Sequence, residues 1–508
     1  GDTIKMNFKQ TFTTTGFVES GSSTSIVFNG TFINSGQFPT LGYNSGYEIF
    51  DDNDRKEYDL PPKQRLTERD DKRELVNGIL GDDGDQINFE MVISTDTGQI
   101  AIAPGYLQKE WEEKGRKYFH YKMDQPMFNF YSVLSADYEV MRDTWQPEVD
   151  SLGGKVNLEI YYHKGHEYNL DRMMRAMKES FDYFSKNFSP YQYRQMRILE
   201  FPRYATFAQS FPNTVPFSEG IGFMLEIDDE DDVDAAFYVT AHELAHQWWA
   251  HQVMSANVQG SQVMIESLSQ YSALMVMKQA YPEEKIQEFL EEELQRYLRG
   301  RSTESKREMP LATVENQQYI HYGKGAVNFY ALQDYIGEDS LNLALSRFIK
   351  DWNIFDGQPK QGRFPTTIDL FGYIREVTPD SLQYVVTDLL EKIILYENKV
   401  EKAEYNKIND NSYQVILSVS SKKLEADSLG VETPVQLNDW IEIGVYGEDE
   451  EGEEKLLYLK KHLMDNEEQT FTIEVNQKPT KAGIDPIHKL IDRNPKDNTK
   501  TVAEKEMI

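Results

Sequence analysis

His242 and His246 stand four apart in the stretch Tyr238-Val-Thr-Ala-His-Glu-Leu-Ala-His-Gln-Trp-Trp249, inside an apolar pattern of helical period. Side chains four residues apart share one face of a helix. Two imidazoles so placed can address one metal ion with little rearrangement. Glu243, beside the first of them, can reach a water held by that ion without being a ligand. This is the spacing of metal-assisted hydrolysis, in which two histidines bind and the glutamate takes a proton from water. The bare pattern also fits two core histidines on an amphipathic helix, so the reading needs a third ligand.

Glu266 supplies it. It is the only acid between positions 247 and 282, in a chain where 85 acids in 508 residues would put about six in those positions. Such depletion is expected of a buried pair of helices. A lone carboxylate left among them needs a charged partner, because an unpaired buried charge is costly. Glu266 also opens the apolar stretch Ser267 to Met277, which can pack against the first helix and aim the carboxylate at the two imidazoles. His251 competes as a ligand, but it is one residue out of phase with the three-histidine pattern, where Trp249 and Gln252 occupy the positions that would hold glycine and histidine. A packing role suits it better. An open fourth position for water would complete a catalytic zinc site.

These residues need a framework. Residues 1 to about 165 read as β-structure: Ser25 to Phe28, Phe89 to Ile93, Gln99 to Ala103, Phe128 to Val133 and Val156 to Tyr162 are short apolar or alternating runs between turn residues. Near Leu170 the period changes: Met173, Met174, Met177, Phe181 and Phe184 recur at helical spacing before Pro190. Helices are expected over 234–253, 261–280, 283–298, 323–336, 339–351 and 380–393. After Tyr396 the period returns to two, and Tyr413 to Val419, Trp440 to Tyr446 and Phe471 to Val475 read as strands of a small sandwich. From Pro486 the chain is polar and is expected to fray or lie on the surface. The organisation expected is therefore α+β and multidomain: a β-rich domain over 1–165, a mostly helical zinc domain over 166–396, and a C-terminal β-sandwich with a polar tail over 397–508.

Composition excludes several function classes. A net charge of -32 repels a phosphate backbone, which argues against nucleic-acid binding. The acid runs Asp228 to Asp232 and Glu448 to Glu454 read as solvated loops, with attraction of cationic peptide ends as the functional alternative. The absence of cysteine removes disulfides, thiolate zinc sites and cysteine nucleophiles together. No apolar run approaches the ~20 residues of a membrane helix, and no secretory signal is visible at the start.

The motifs resemble a known family. His242-Glu-Leu-Ala-His-Gln-Trp, Glu266 and Tyr322-Gly-Lys-Gly-Ala326 look like the gluzincin aminopeptidases typified by aminopeptidase N. A closer likeness is to a branch found in bacteria beside, or fused to, ABC-transporter permeases; it rests on Trp248-Trp-Ala-His-Gln, Asn257-Val-Gln-Gly and Glu266-Ser-Leu-Ser-Gln-Tyr-Ser-Ala-Leu-Met-Val-Met. Three departures stand out. Nineteen residues separate His246 from Glu266, one more than the family usually leaves; the turn near Ala256 to Gly260 is expected to absorb it. Ile265 replaces the usual asparagine. The Gly-Ala-Met-Glu-Asn segment is absent, and Phe217-Ser-Glu-Gly-Ile-Gly222 stands in its place.

The resemblance implies a thermolysin-like zinc domain with one zinc ion on His242, His246 and Glu266, and Glu243 as the base. Alone, Tyr322 reads as a core aromatic at a helix start; the resemblance makes it the catalytic tyrosine that stabilises an oxyanion. It aligns Glu219 with the glutamate that holds the substrate's free amine, and Gly222 with the glycine that follows. The implied activity is removal of residues from the N-terminus of peptides. The alternatives are an endopeptidase on the same zinc and a non-catalytic peptide-binding or sensor module. The branch implies a membrane transporter subunit as partner and, in a longer parent protein, tethering in a bacterial cell envelope.

Overall fold

The computed structural model describes residues 5–14, 25–27, 30–43, 47–63, 65–81, 84–229, 232–354, 361–449 and 452–505. Phe28, Glu230, Asp231, Glu450 and Glu451, which belong to runs singled out above, lie outside them. The fold is α+β, with a β-rich N-terminal region, a mainly helical middle and a C-terminal β-sheet region. Two compact units form: 1–280 with 342–373, and 281–341 with 374–508.

In the first unit, Ile26–Val27, Gly30–Asn34, Ser132–Ala136 and Ile100–Ile102 make one sheet, and Glu90–Thr95, Arg116–Lys122 and Tyr106–Glu113 another. The run Phe128 to Val133, expected as one strand, is split. Met127–Phe128 pairs with Gln86–Ile87, and the chain then changes sheets to pair Ser132–Ala136 with Gly30–Asn34. A third sheet carries the functional segments. Tyr138–Trp145 runs antiparallel to Val156–His163, which is followed in parallel by Gln195–Phe201 and Thr214–Ser218. The last two strands fall in a region expected to be helical. Both are buried on both faces, so they lack the alternation that marks a half-exposed strand. The helix Leu170–Asn187 makes the crossover between Val156–His163 and Gln195–Phe201, and buries Met173, Met174, Met177, Phe181 and Phe184 as the spacing requires.

The helix Ala235–Ala245 starts at Asp234, whose carboxylate accepts the Phe237 amide at 2.9 Å and is held by the Arg172 guanidinium at 2.7 Å. It ends eight residues short of the expected boundary. Trp248 and Trp249 continue the apolar run but are packed in an irregular turn beyond the His246 cap, where Ala250 takes a φ of 140° that no helix adopts.

In the second unit the helices Glu283–Ser302 and Gly325–Ile336 form near the expected positions. Two sheets built on Ile393–Asn409 with Ser412–Ala426, and on Asp439–Glu448 with Glu454–Met464, close over a shared core that includes Val415, Leu417, Ile441, Ile443, Val445, Ile473 and Ile484. The stretch from Pro486 departs from expectation. Ile487, Leu490 and Ile491 are buried, and Thr499–Thr501 joins the second sheet. Some of its polar residues are buried and paired. The buried Lys489 ammonium lies 2.9 Å from both Glu442 and Asp334, and Asp492 accepts the Asn398 amide at 2.8 Å. Polarity by composition concealed a docked segment.

Removing one member of a buried ionic group strands the others. Lys489→Ala should therefore destabilise the protein by about 3 kcal/mol in chemical denaturation; a variant with unchanged stability would mean that Lys461, 2.6 Å from Asp334 and 3.6 Å from Glu442, is partner enough for both acids.

Candidate metal centre

His242 lies in the last turn of the helix Ala235–Ala245, and His246 caps its end. Their Nε2 atoms face each other 3.1 Å apart. Glu266 arrives from the next helical segment, with Oε2 at 3.3 Å from His242 Nε2 and 3.5 Å from His246 Nε2. The three donor atoms make a nearly equilateral triangle. A tetrahedral zinc with bonds of about 2.0–2.1 Å spaces its ligand atoms about 3.3 Å apart, so the residues present fit the ion. The charge arrangement fits as well. Burial works against ionising Glu266, yet the imidazoles of His246 and His242 hold its carboxyl well below the usual range. Two ring nitrogens aimed at one point, with a carboxylate beside them, are the surroundings a divalent cation satisfies.

The supporting contacts escaped the sequence reading. Ser269 Oγ lies 3.0 Å and the Trp249 carbonyl oxygen 3.2 Å from His246 Nδ1, so the ring presents Nε2 to the metal position. Gln270 hydrogen-bonds His242 and accepts the Tyr238 hydroxyl. Ser269 and Gln270 follow Glu266 by three and four residues on the same helical face, a spacing that could have marked them. His251 is fully enclosed, has Nε2 3.1 Å from the Ser210 carbonyl oxygen, and is pushed down to about 4 by burial, in keeping with a packing role.

Glu266 itself lies in an irregular helical turn. Val263–Ser267 forms a single π-turn that runs directly into the helix Leu268–Ala280. A π-turn holds one more residue than an α-turn, and such turns recur at functional sites.

Glu243 is 6% exposed, and its Oε2 has no hydrogen-bond partner. Burial pushes its carboxyl up to about 7. It thus offers an unsatisfied acceptor beside the first ligand. Glu219 and Gly222 follow the strand Thr214–Ser218. The outer side of that strand is paired with the segment Phe207 to Phe211, through Gln209 N–H to Pro216 O at 3.1 Å and Ser218 N–H to Phe207 O at 3.0 Å. Glu219 groups with His163, His166 and Glu200, not with the metal triad. Gly222 lies against the Phe217 ring, where a Cβ would sit 2.4 Å from a ring carbon.

Tyr322 belongs to the second unit, within the π-helical segment Tyr319–Lys324. It is half-buried, with its ring centroid 4.6 Å from that of His321 and the Arg296 guanidinium 5.6 Å from its own centroid. Its neighbours explain much of the Tyr-Gly-Lys-Gly-Ala motif. A Cβ on Gly323 would come 2.8 Å from the Glu293 carbonyl, so glycine lets the segment lie against the helix Glu283–Ser302. Lys324 is buried and donates to the Lys392 carbonyl at 3.3 Å.

Glu266→Ala should weaken zinc binding by well over ~100-fold in chelator competition, and Ser269→Ala by about tenfold. Equal zinc affinities in the two variants would contradict the assignment of Glu266 as a ligand.

Comparison with known proteins agrees with this geometry. Residues 168–361 match the model of the peptidase family M1 domain. The chain is 23% identical over 319 residues to a leucyl aminopeptidase of Saccharolobus solfataricus, covering 60% of this chain and 38% of that protein. It is 22% identical over 230 residues to "Probable aminopeptidase 1" of Sulfurisphaera tokodaii, covering 43% of this chain and 28% of that protein. The chain therefore spans well under half the length of these curated relatives. A crystal structure of Legionella pneumophila aminopeptidase A in complex with aspartic acid superimposes with a TM-score of 0.53 at 18% identity, over 84% of this chain and 46% of that one, a likeness of fold. No helix among the described residues is long and apolar enough to cross a membrane. The stretch 168–361 that matches the family M1 model includes the two imidazoles and the carboxylate of the donor triangle.

Proposed function

We propose that the chain is a zinc-dependent aminopeptidase that hydrolyses the N-terminal peptide bond of peptides. The observation that carries this reading is the triangle of donor atoms from His242, His246 and Glu266, with the unpartnered Glu243 carboxylate oxygen beside it. When bound, zinc there polarises a carbonyl and lowers the pKa of a coordinated water to about 7. Glu243 accepts the proton of the attacking water and returns it to the leaving amine. Tyr322 donates a hydrogen bond to the oxyanion as the carbonyl carbon becomes tetrahedral. Glu219 holds the substrate's α-ammonium, with Gly222 keeping the turn close behind it. A blocked N-terminus lacks the ammonium that this carboxylate accepts, so blocked ends are disfavoured.

Glu243→Gln should keep zinc while turnover falls at least about a hundredfold; normal turnover would remove Glu243 as the base. Tyr322→Phe should lower kcat about 10²–10³-fold with zinc content unchanged, and a variant that loses only zinc would assign the tyrosine a structural task. For Glu219→Ala, the preference for free over acetylated N-termini, read as a ratio of kcat/KM, should shrink at least about tenfold. An intact preference would place the amine anchor elsewhere.

The likeness to the transporter-associated branch extends the proposal to a membrane transporter subunit as partner of the parent protein. It rests on the Trp248 to Gln252 and Glu266 to Met277 motifs. We also keep the division into domains 1–165, 166–396 and 397–508 as a proposal.

A further inference from the structure

Three consecutive strands of the third sheet run parallel: Val156–His163, Gln195–Phe201 and Thr214–Ser218. Their carboxyl ends therefore meet at one edge of the sheet. There they bring together His163 at the end of the first strand, His166 in the turn after it, Glu200 near the end of the second, and Glu219 one residue past the third. One donor atom from each lies within 4.8 Å of the other three. The sequence reading did not find this cluster, because its members are scattered over some fifty positions and only the His-x-x-His spacing hints at it.

We infer that these four side chains bind a second divalent transition-metal ion, zinc by its donor set. The carboxylates are oriented for it. Glu200 is fully buried; its Oε2 accepts the His163 amide at 2.6 Å, which turns Oε1 towards His163 Nδ1 at 3.2 Å and still closer to His166 Nδ1. Glu219 is 8% exposed; its Oε1 accepts the Arg203 amide at 2.8 Å, and its Oε2 lies 3.9 Å from His166 Nδ1. In each case a backbone amide holds one oxygen and aims the other at the imidazoles. The Tyr138 ring stacks on His163 with centroids 5.5 Å apart, and its hydroxyl donates to the Glu200 carbonyl at 2.7 Å, fixing the frame as outer contacts do around a metal. The ionic partners of both buried carboxylates are these histidines.

The donors decide the ligand. Two buried carboxylates gathered against two partly exposed imidazoles concentrate acceptor oxygens and ring nitrogens at one point, a donor set that a divalent cation satisfies. Mixed imidazole and carboxylate donors suit zinc and its neighbours, whereas calcium and magnesium prefer oxygen alone. The ion would tie the ends of three strands and fix the segment that carries Glu219. A carboxylate has about four lone-pair sites, so an ion on Oε2 leaves capacity for an ammonium. The inference stands whether or not the protein is a peptidase.

The test uses the full chain with His242→Ala and His246→Ala together, which empties the first centre, and titrates it with Co²⁺. One cobalt per chain is expected, with the d–d absorption of a low-coordinate site. Adding His166→Asn should abolish both the stoichiometry and the spectrum while circular dichroism keeps the folded signal. If the His166→Asn protein does not fold, Glu219→Gln in the same background reads the same loss. No cobalt bound by the double variant, or a cobalt spectrum that survives His166→Asn and Glu219→Gln, would overturn the inference and leave the cluster as hydrogen-bonded histidine–glutamate pairs.

Discussion

Two imidazole nitrogens 3.1 Å apart, joined by a carboxylate oxygen at nearly the same spacing, form the enclosed donor set on which the rest of the site depends. Glu266 supplies that oxygen, and its charge makes a cation the natural fourth party. The packing of residues 235–280 can be understood as a means of keeping these three atoms where they are. A cation there repays several otherwise costly features, including an enclosed carboxylate on Glu243 and a helix with almost no solvent-facing side.

The positioning is done by ordinary devices. Asp234 caps the ligand helix and is itself fixed by Arg172, so the register of His242 and His246 is set from the helix start. The helix stops at Ala245 with the second ligand, His246, as its cap, and the turn at Trp248 to Val253 follows. The π-turn at Val263–Ser267 then rotates Glu266 onto the triangle, and Ser269 and Gln270, one turn further on, hold the rings. Sheet topology does similar work elsewhere in the first unit, where parallel strand ends collect residues that are far apart in sequence.

Much of this was legible in the residues. The four-residue histidine spacing and the acid depletion around Glu266 gave the metal triad, because buried charge is rare enough to be informative when it appears. Amphipathic helices such as Leu170–Asn187 were equally readable. What was missed shares a physical cause: full burial erases periodicity. Gln195–Phe201 and Thr214–Ser218 are covered on both faces and carry no alternation, and Trp248 and Trp249 extend an apolar run beyond the true helix end. The segment from Pro486 failed in the opposite sense, since Lys489 and Asp492 look solvated in composition but are internally paired. The π-turn at Val263–Ser267 leaves no mark in the apolar pattern, because the residues around it are mostly buried.

The central claim is that His242, His246 and Glu266 share one zinc ion. Diffraction from crystals of the zinc-loaded protein, recorded on both sides of the zinc absorption edge, addresses it most directly. The account predicts an anomalous peak about 2.0–2.2 Å from His242 Nε2, His246 Nε2 and a Glu266 carboxylate oxygen. No peak inside that triangle, or a Glu266 side chain turned away from it in the loaded protein, would contradict the account.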